Sequence, residues 1–195
     1  MFRFGLIFFG ILFLLVGCST RGLNDHYASV TEQRLVTQSL DMLVKALPES
    51  DFKPLQHKSV YLRGYFIEPT VDGTKYSPLL KFARQRVQLE LMEKYQCKMA
   101  NTPEKADFQV HFFFNAIGTD QDSLGITLPQ IFLPGVGVSQ IDFIAVKMFH
   151  GVSEGYYYIV DNQQAETMRG TLLKARVRTD RLNLPFISIP LNTLD

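Results

Sequence analysis

Cysteine and tryptophan are scarce or missing in this 195-residue chain, which has two Cys and no Trp. Cys18 lies in the amino-terminal segment and Cys97 is the other cysteine, so no disulfide can form within the folded region. The hydrophobic core must therefore stabilise the fold without covalent help. Aromatic residues, 16 Phe and 8 Tyr, cluster in the later part of the chain and favour a β-rich structure.

An excess of charge of either sign is also missing. The chain has 20 basic and 19 acidic side chains. Nothing in this balance favours nucleic acid or an acidic lipid surface as a partner, and we expect no nucleic-acid binding.

The amino-terminal apolar run is too short for a membrane-spanning helix. It extends from Phe4 to Val16, about 13 residues, whereas a spanning helix needs about 20. Arg3 precedes the run and small residues follow it, which is the layout of a cleavable secretory signal. We therefore expect no permanent transmembrane helix here.

The residues that end this run, Leu15-Val16-Gly17-Cys18, resemble the lipobox of bacterial lipoproteins. The resemblance implies cleavage before Cys18 and acylation, palmitate included, of its thiol and its new amino group. Several buried acyl chains hold a protein firmly, at about 0.8 kcal/mol per methylene, so the lipid on Cys18 would be the membrane contact. The alternative is an ordinary cysteine in a secretory peptide.

The lipobox resemblance also predicts the domain organisation and the location. Residues 1–17 would be the lipoprotein signal peptide, 18–28 a lipid-attached tether, and 29–195 a single periplasmic domain. Loss of Arg3 would leave 19 basic and 19 acidic side chains, a net charge of zero. Ser19 stands where Asp would retain a lipoprotein at the inner membrane, which predicts an outer-membrane protein facing the periplasm.

Hydrophobic periodicity predicts an α+β fold, with one mixed sheet of about five strands and two main helices packed on one face. Pro78 suits the first position of the second helix. The predicted helices cover residues 30–46 and 78–95. The predicted strands cover residues 58–67, 106–117, 140–149 and 154–160, with His150 to Ser153 as a turn between the last two. Residues 168–178 fit either a strand or a helix.

Sequence motifs of catalysis are missing as well. The chain has no Gly-x-Ser-x-Gly, His-Glu-x-x-His or phosphate-binding glycine loop, and we expect no enzyme activity, cofactor or metal. The segment from Asp120 to Gly125 matches three positions of a calcium loop, but Leu124 and Ile131 stand where ligands belong, so we interpret it as a polar surface turn. A nucleophilic Cys97 beside a histidine stays open, although a lone cysteine is more often a small core residue.

Residues 118–138 form the most suggestive segment, because they are rich in glycine and proline yet apolar in their second half. We interpret them as a long loop, which in a compact domain is usually functional or disordered. Contiguous exposed apolar groups mark interfaces; the alternative is a loop that folds back over the sheet. The candidate interface residues are Leu128, Ile131, Phe132, Leu133, Val136 and Val138.

The order of these motifs resembles an uncharacterised family of Gram-negative outer-membrane lipoproteins. The resemblance rests on the lipobox, Pro54-Leu-Gln-His-Lys58 before a strand, Ala106-Asp107-Phe108 opening an apolar strand, and Leu128-Pro129 with Leu133-Pro134-Gly135. The layout is more distantly similar to the periplasmic domain of the curli-secretion lipoprotein and the amino-terminal domain of the Tol-system propeller protein. Likeness of this kind implies a fold and carries little about function.

Together these patterns lead to two hypotheses about function. The first is a lipid-anchored binding or scaffold module, a structural or assembly subunit of a secretion or transport complex with an envelope protein as partner. The second is a carrier or sensor of a small apolar ligand or lipid, held in a pocket lined by Phe112, Phe114, Ile126 and Phe143. The sequence leaves a homo-oligomer open.

Overall fold

The computed structural model describes residues 30–66, 78–133, 137–185 and 187–192; of residues 127–133 and 137–142 it describes the backbone. Three α-helices occur within these ranges: α1 (Val30–Lys45), α2 (Glu49–Phe52) and α3 (Pro78–Tyr95). Both predicted main helices are confirmed to within a residue, and α2 is a third, short one. Single 3₁₀ turns cover Lys53–Leu55 and Pro103–Lys105.

The described strands form one mixed sheet of seven strands, so the predicted mixed sheet is confirmed and the predicted number of strands is too low. The hydrogen-bonded order is β2-β1-β3-β4-β6-β7, and β5 also pairs with β4. β1 is parallel to β2 and β3, whereas the β4–β5 and β6–β7 pairs are antiparallel. The strands are β1 (Ser59–Phe66), β2 (Lys98–Met99), β3 (Phe108–Leu133), β4 (Gly137–Asp161), β5 (Thr167–Arg169), β6 (Leu173–Asn183) and β7 (Ser188–Pro190).

The described chain divides into two compact units. The described parts of residues 30–118 and 151–177 form the helical unit, and the described parts of residues 119–150 and 178–192 form the hairpin unit. The strands β3, β4 and β6 each contribute to both units. Among the described helices, none combines the length and apolarity needed to cross a membrane.

In the helical unit, α3 packs on β1 because both elements have an apolar side. The helix buries Ala83, Val87, Leu91 and Tyr95, which recur every four residues. Val60 and Leu62 of β1 are buried against the helix, and Arg63, which points to the opposite face of the strand, is exposed. The helix α3 connects β1 to β3, and the two strands lie side by side and parallel, as a crossover through a helix allows.

The helix α1 packs on β4 through small residues. Ser39 and Ser153 are fully buried, and their hydroxyl oxygens lie 2.8 Å apart. A Cβ on Gly151 would lie 2.2 Å from the Leu35 carbonyl oxygen, so a larger residue would push the helix away. The sequence expectation of a turn from His150 to Ser153 is therefore wrong: β4 continues through these residues, and the small size of Gly151 and Ser153 admits the helix.

The core of the helical unit is centred on Tyr157 of β4. Its ring lies 4.8 Å from that of Phe52 and 6.0 Å from that of Phe112, measured between centroids, and all three side chains are buried. The Tyr157 hydroxyl donates a 2.7 Å hydrogen bond to Asp51 Oδ2, which ties α2 to the sheet. The ambiguous segment 168–178 is resolved as strand, in β5 and the first part of β6.

Candidate functional site

The segment 118–138, interpreted from sequence as a loop, is a β-hairpin instead. β3 extends to Leu133 and β4 begins at Gly137, so the two neighbouring strands are joined by residues 134–136. A connection this short between neighbouring strands is possible only in an antiparallel pair. The glycines and prolines that suggest a loop therefore lie within or between long strands.

The candidate interface residues fall on this hairpin. Leu128, Ile131, Phe132 and Leu133 belong to β3 and Val138 belongs to β4, in the ranges where the structure describes the backbone alone. Val136 lies outside the described residues. The hairpin places the two strand segments that carry these residues side by side, which the interpretation as a loop could not predict.

Described apolar side chains on the same hairpin are open to solvent. Leu124 is 71% exposed and Ile126 54% exposed on β3, and Phe143 and Ile144 are about half exposed on β4. Phe143 and Ile144 are consecutive, so they point to opposite faces of their strand. Near Phe143 and Ile144, both faces of the hairpin therefore expose apolar side chains.

An apolar groove lies in the hairpin unit, beside the exposed part of β4. It is lined by Phe143, Ile144, Leu184, Pro185 and Ile187. The cavity measures about 380 Å³, which is within the usual range of small-molecule pockets, roughly 300–1,000 Å³.

The residues of the predicted pocket, Phe112, Phe114, Ile126 and Phe143, belong to two different units. Phe112 and Phe114 are buried in the core of the helical unit, with ring centroids 4.6 Å apart. Ile126 and Phe143 are more than half exposed, so they cannot line a closed pocket.

Cys97 occupies the core position that its sequence context favours. It is 5% exposed, and its thiol donates to the Leu55 carbonyl oxygen over 3.3 Å. Burial raises the pKa of the thiol to about 11, whereas reactive cysteines have pKa values below the ordinary range. This environment is the opposite of one that activates a nucleophile.

A carboxylate and a histidine lie close together in the hairpin unit. Asp122 Oδ2 is 3.4 Å from Nε2 of His150, whose side chain is nearly buried. Both residues lie on strands, so the segment from Asp120 to Gly125 is not the surface turn expected from sequence. In the described part of the chain, no three His, Cys, Asp or Glu side chains are grouped as a metal site would require.

The helical unit carries a second surface, on the face of the sheet opposite α1 and α3. Aromatic rings from β1, β3 and β4 lie side by side on this face. Tyr65 stacks on Phe113 with centroids 4.5 Å apart and planes 7° apart, and Phe113 stacks on Tyr156 at 5.2 Å and 7°. Tyr158 meets Phe113 and Tyr156 edge to face. We call Tyr65, Phe113, Tyr156 and Tyr158 the aromatic ladder.

Arginines flank both ends of the aromatic ladder. The Arg63 guanidinium lies 5.2 Å from the centre of the Tyr65 ring, and Arg169 lies 5.3 Å from that of Tyr156 and 5.9 Å from that of Tyr158. Strand alternation along Tyr156-Tyr157-Tyr158 places the buried Tyr157 on the other face. The cross-strand partners and the flanking arginines could not be identified without the strand register.

A polar chain runs along the edge of this face. The Tyr65 hydroxyl lies 3.2 Å from His111 Nδ1, and His111 Nε2 lies 3.3 Å from Gln109 Oε1. Gln109 Nε2 donates to Asn162 Oδ1 over 2.7 Å. Because Gln109 Oε1 can only accept, His111 carries its proton on Nε2 and its Nδ1 accepts from Tyr65. Burial and the charge of Arg63 lower the pKa of His111, which favours this neutral form.

The predicted lipid anchor lies outside the described residues; this applies to Leu15, Val16, Gly17 and Cys18.

No protein-family model matches the chain, and no curated protein sequence matches it.

Proposed function

We propose that the protein is a lipid-anchored binding module of the bacterial envelope, held at the periplasmic side of the outer membrane by Cys18, and that its β3–β4 hairpin docks an envelope protein. A role as a structural or assembly subunit of a secretion or transport complex, and membership of the lipoprotein family that its motifs resemble, belong to the same proposal.

The observation that carries the proposal is the set of exposed apolar side chains at the described base of the hairpin, beside a segment whose sequence has no charge. No charged residue occurs in residues 123–141, between Asp122 and Asp142. Leu124, Ile126 and Phe143, at the described base of this segment, are each more than half exposed. An apolar surface without charges is the composition of an interface core rather than of a solvated arm.

The non-enzymatic part of the proposal has its own support. Cys97 is buried with a raised pKa, and the Asp122–His150 pair lies at a strand position where His150 is 4% exposed. A substrate would have little access to the Cys97 thiol or to the His150 ring.

The experiment that tests the docking role is affinity purification of the natively lipidated protein from mildly solubilised envelopes, with mass spectrometry of the proteins that accompany it. We expect a stoichiometric envelope protein with the natural chain and its loss with Leu124→Lys/Ile126→Lys. Both side chains are exposed, so their replacement leaves the core intact. Phe132→Asp/Leu133→Asp extends the test to the end of β3.

The matched control is Met42→Lys/Leu89→Lys, which adds the same charge at two exposed apolar positions of α1 and α3. It should retain the partner. Equal recovery of the partner with the hairpin variants and with the control would exclude the hairpin as the docking surface.

The apolar groove supports a second candidate, a carrier or sensor of a small apolar ligand or lipid. Its size of about 380 Å³ and its lining by Phe143, Ile144 and Ile187 suit an acyl chain or a similar group. Native mass spectrometry of the protein purified in mild detergent tests this candidate: a non-covalently bound lipid that is lost on Ile144→Asn substitution supports it, and ligand-free protein alone counts against it.

A further inference from the structure

In the described part of the helical unit, the sheet face that carries the aromatic ladder has more cations than anions. By strand alternation and pairing, Arg63 of β1, Lys98 of β2 and Arg169 of β5 share the face of the aromatic ladder. Lys174 and Arg176 of β6 are exposed opposite the buried Leu173 and Ala175. The described strands of this unit contribute one carboxylate to the face, Glu154, which pairs with Lys174 over 3.2 Å.

This imbalance is local, since the whole chain has 20 basic and 19 acidic side chains. Five cations against one carboxylate on one sheet face therefore form a concentrated positive surface. Arg63, Lys98, Arg169 and Arg176 are all exposed, which leaves them accessible to an anionic partner.

The geometry of the rings restricts the kind of partner further. Tyr65, Phe113 and Tyr156 cover one another's faces, with planes 7° apart in both contacts. These contacts cover both faces of Phe113 and one face each of Tyr65 and Tyr156, and Arg63 and Arg169 also lie over the Tyr65 and Tyr156 rings. A sugar or a nucleobase that stacks on aromatic side chains needs a free ring face, which this arrangement does not offer. What the stacked rings present outward is their edges, which carry the positive side of the ring quadrupole.

We propose that the aromatic ladder and its flanking arginines bind an acidic protein segment, at a site separate from the hairpin. Arg63 and Arg169 receive carboxylates at the two ends of the ladder, since a planar guanidinium matches a carboxylate bidentately. Between these two carboxylates, the partner's chain faces the ring edges and the hydroxyls of Tyr156 and Tyr158. Charge complementarity identifies the partner as an acidic polypeptide and the occupied ring faces disfavour a glycan.

Fluorescence anisotropy of the full-length lipidated protein in neutral detergent tests this site. The probe is a fluorescein-labelled peptide of alternating Glu and Thr, and the reference peptide has Gln in place of Glu. We expect binding of the Glu peptide that weakens as salt is added, because the contacts are ionic. The Arg63→Gln/Arg169→Gln variant should bind it about tenfold more weakly, the loss expected for charge-assisted hydrogen bonds.

The matched control is Lys45→Gln/Lys81→Gln, which removes two exposed charges from α1 and α3 on the other side of the sheet. It should keep the natural affinity. Equal weakening by both double variants would show a general charge effect and overturn the site, as would failure of the natural protein to bind the Glu peptide at low salt. Tighter binding of an oligogalacturonate of equal charge would also overturn it, in favour of a glycan.

Failure here is distinguishable from failure of the docking role of the hairpin. The ladder variant leaves Leu124 and Ile126 unchanged, so it should still recover an envelope protein that the hairpin binds. Loss of the peptide with retention of that protein is the expected pattern.

Discussion

The hydroxyl of Tyr157 and the carboxylate of Asp51 form a 2.7 Å hydrogen bond between the carboxyl-terminal part of β4 and the short helix α2. Tyr157 is fully buried among aromatic rings. Burial is the largest cause that raises the pKa of Tyr157, followed by the hydrogen bond and the charge of Asp51. The hydroxyl therefore stays protonated and donates, and it fixes a helix of four residues that has little stability of its own.

Replacement of Tyr157 by Phe should destabilise the protein by about 1–3 kcal/mol, the cost of losing a hydrogen bond to a charged group. Equilibrium unfolding in urea measures the change. Tyr158→Phe is the matched control, because Tyr158 is partly exposed and lies on the other face of β4, and we expect a change within about 0.5 kcal/mol. Equal effects of the two substitutions would contradict the role of the Asp51 contact.

The buried Ser39–Ser153 pair should respond asymmetrically to substitution. The Ser39 hydroxyl donates to the Val36 carbonyl oxygen over 3.0 Å, so Ser153 must be the donor in the 2.8 Å contact between the two hydroxyls. Ser39→Ala leaves the Ser153 donor buried without its acceptor, at a cost of about 1–3 kcal/mol. Ser153→Ala leaves the Ser39–Val36 bond intact and should cost less.

Urea unfolding of Ser39→Ala, Ser153→Ala and the double variant gives the three free energies needed. The double variant should be no less stable than Ser39→Ala, because it removes the stranded donor as well. A larger loss from Ser153→Ala than from Ser39→Ala would contradict the assigned direction of the hydrogen bond.

The sequence is sufficient to predict α1, α3 and β1, because each has one apolar side with the period of its own structure. It fails in the segment His150-Gly-Val-Ser153, where glycine and serine favour a turn. Here the small size of Gly151 serves the close approach of Leu35 instead. A close contact with an element that is far away in the sequence leaves no pattern in the neighbouring residues.

Residues 118–138 illustrate a second limit. Their glycines and prolines predict breaks in regular structure, whereas β3 passes through Gly118, Gly125 and Pro129. Apolar composition still marks this segment as a candidate interface. The aromatic ladder is harder to predict, since the contacts of Phe113 with Tyr65 and Tyr156 depend on the register of strands far apart in sequence.

Gly151→Ala should destabilise the protein by about 1–3 kcal/mol, the usual cost of overpacking. The new methyl group would overlap backbone atoms of Leu35, the nearest at 2.2 Å, and these cannot move without shifting α1. Gly118→Ala is the matched control: a Cβ there meets nothing within 4 Å, so we expect little change or a small gain in stability. Thermal unfolding of both variants checks the difference. Equal melting temperatures would mean that α1 does not approach β4 as closely as described.

The stability of the folded protein should fall as pH falls below about 6.5, the ordinary pKa of histidine. Burial first, and then the charge of Arg63, lower the pKa of His111 in the folded state. The unfolded chain therefore binds a proton at a higher pH than the folded chain does, and between the two pKa values stability decreases with decreasing pH. Above this window the contribution of neutral His111 is fully present.

Urea unfolding at about pH 7.5 and about pH 5.5 measures the decrease in stability, and His111→Gln, which cannot titrate, should reduce this decrease. An identical decrease in the natural protein and in His111→Gln would assign the pH dependence to other groups.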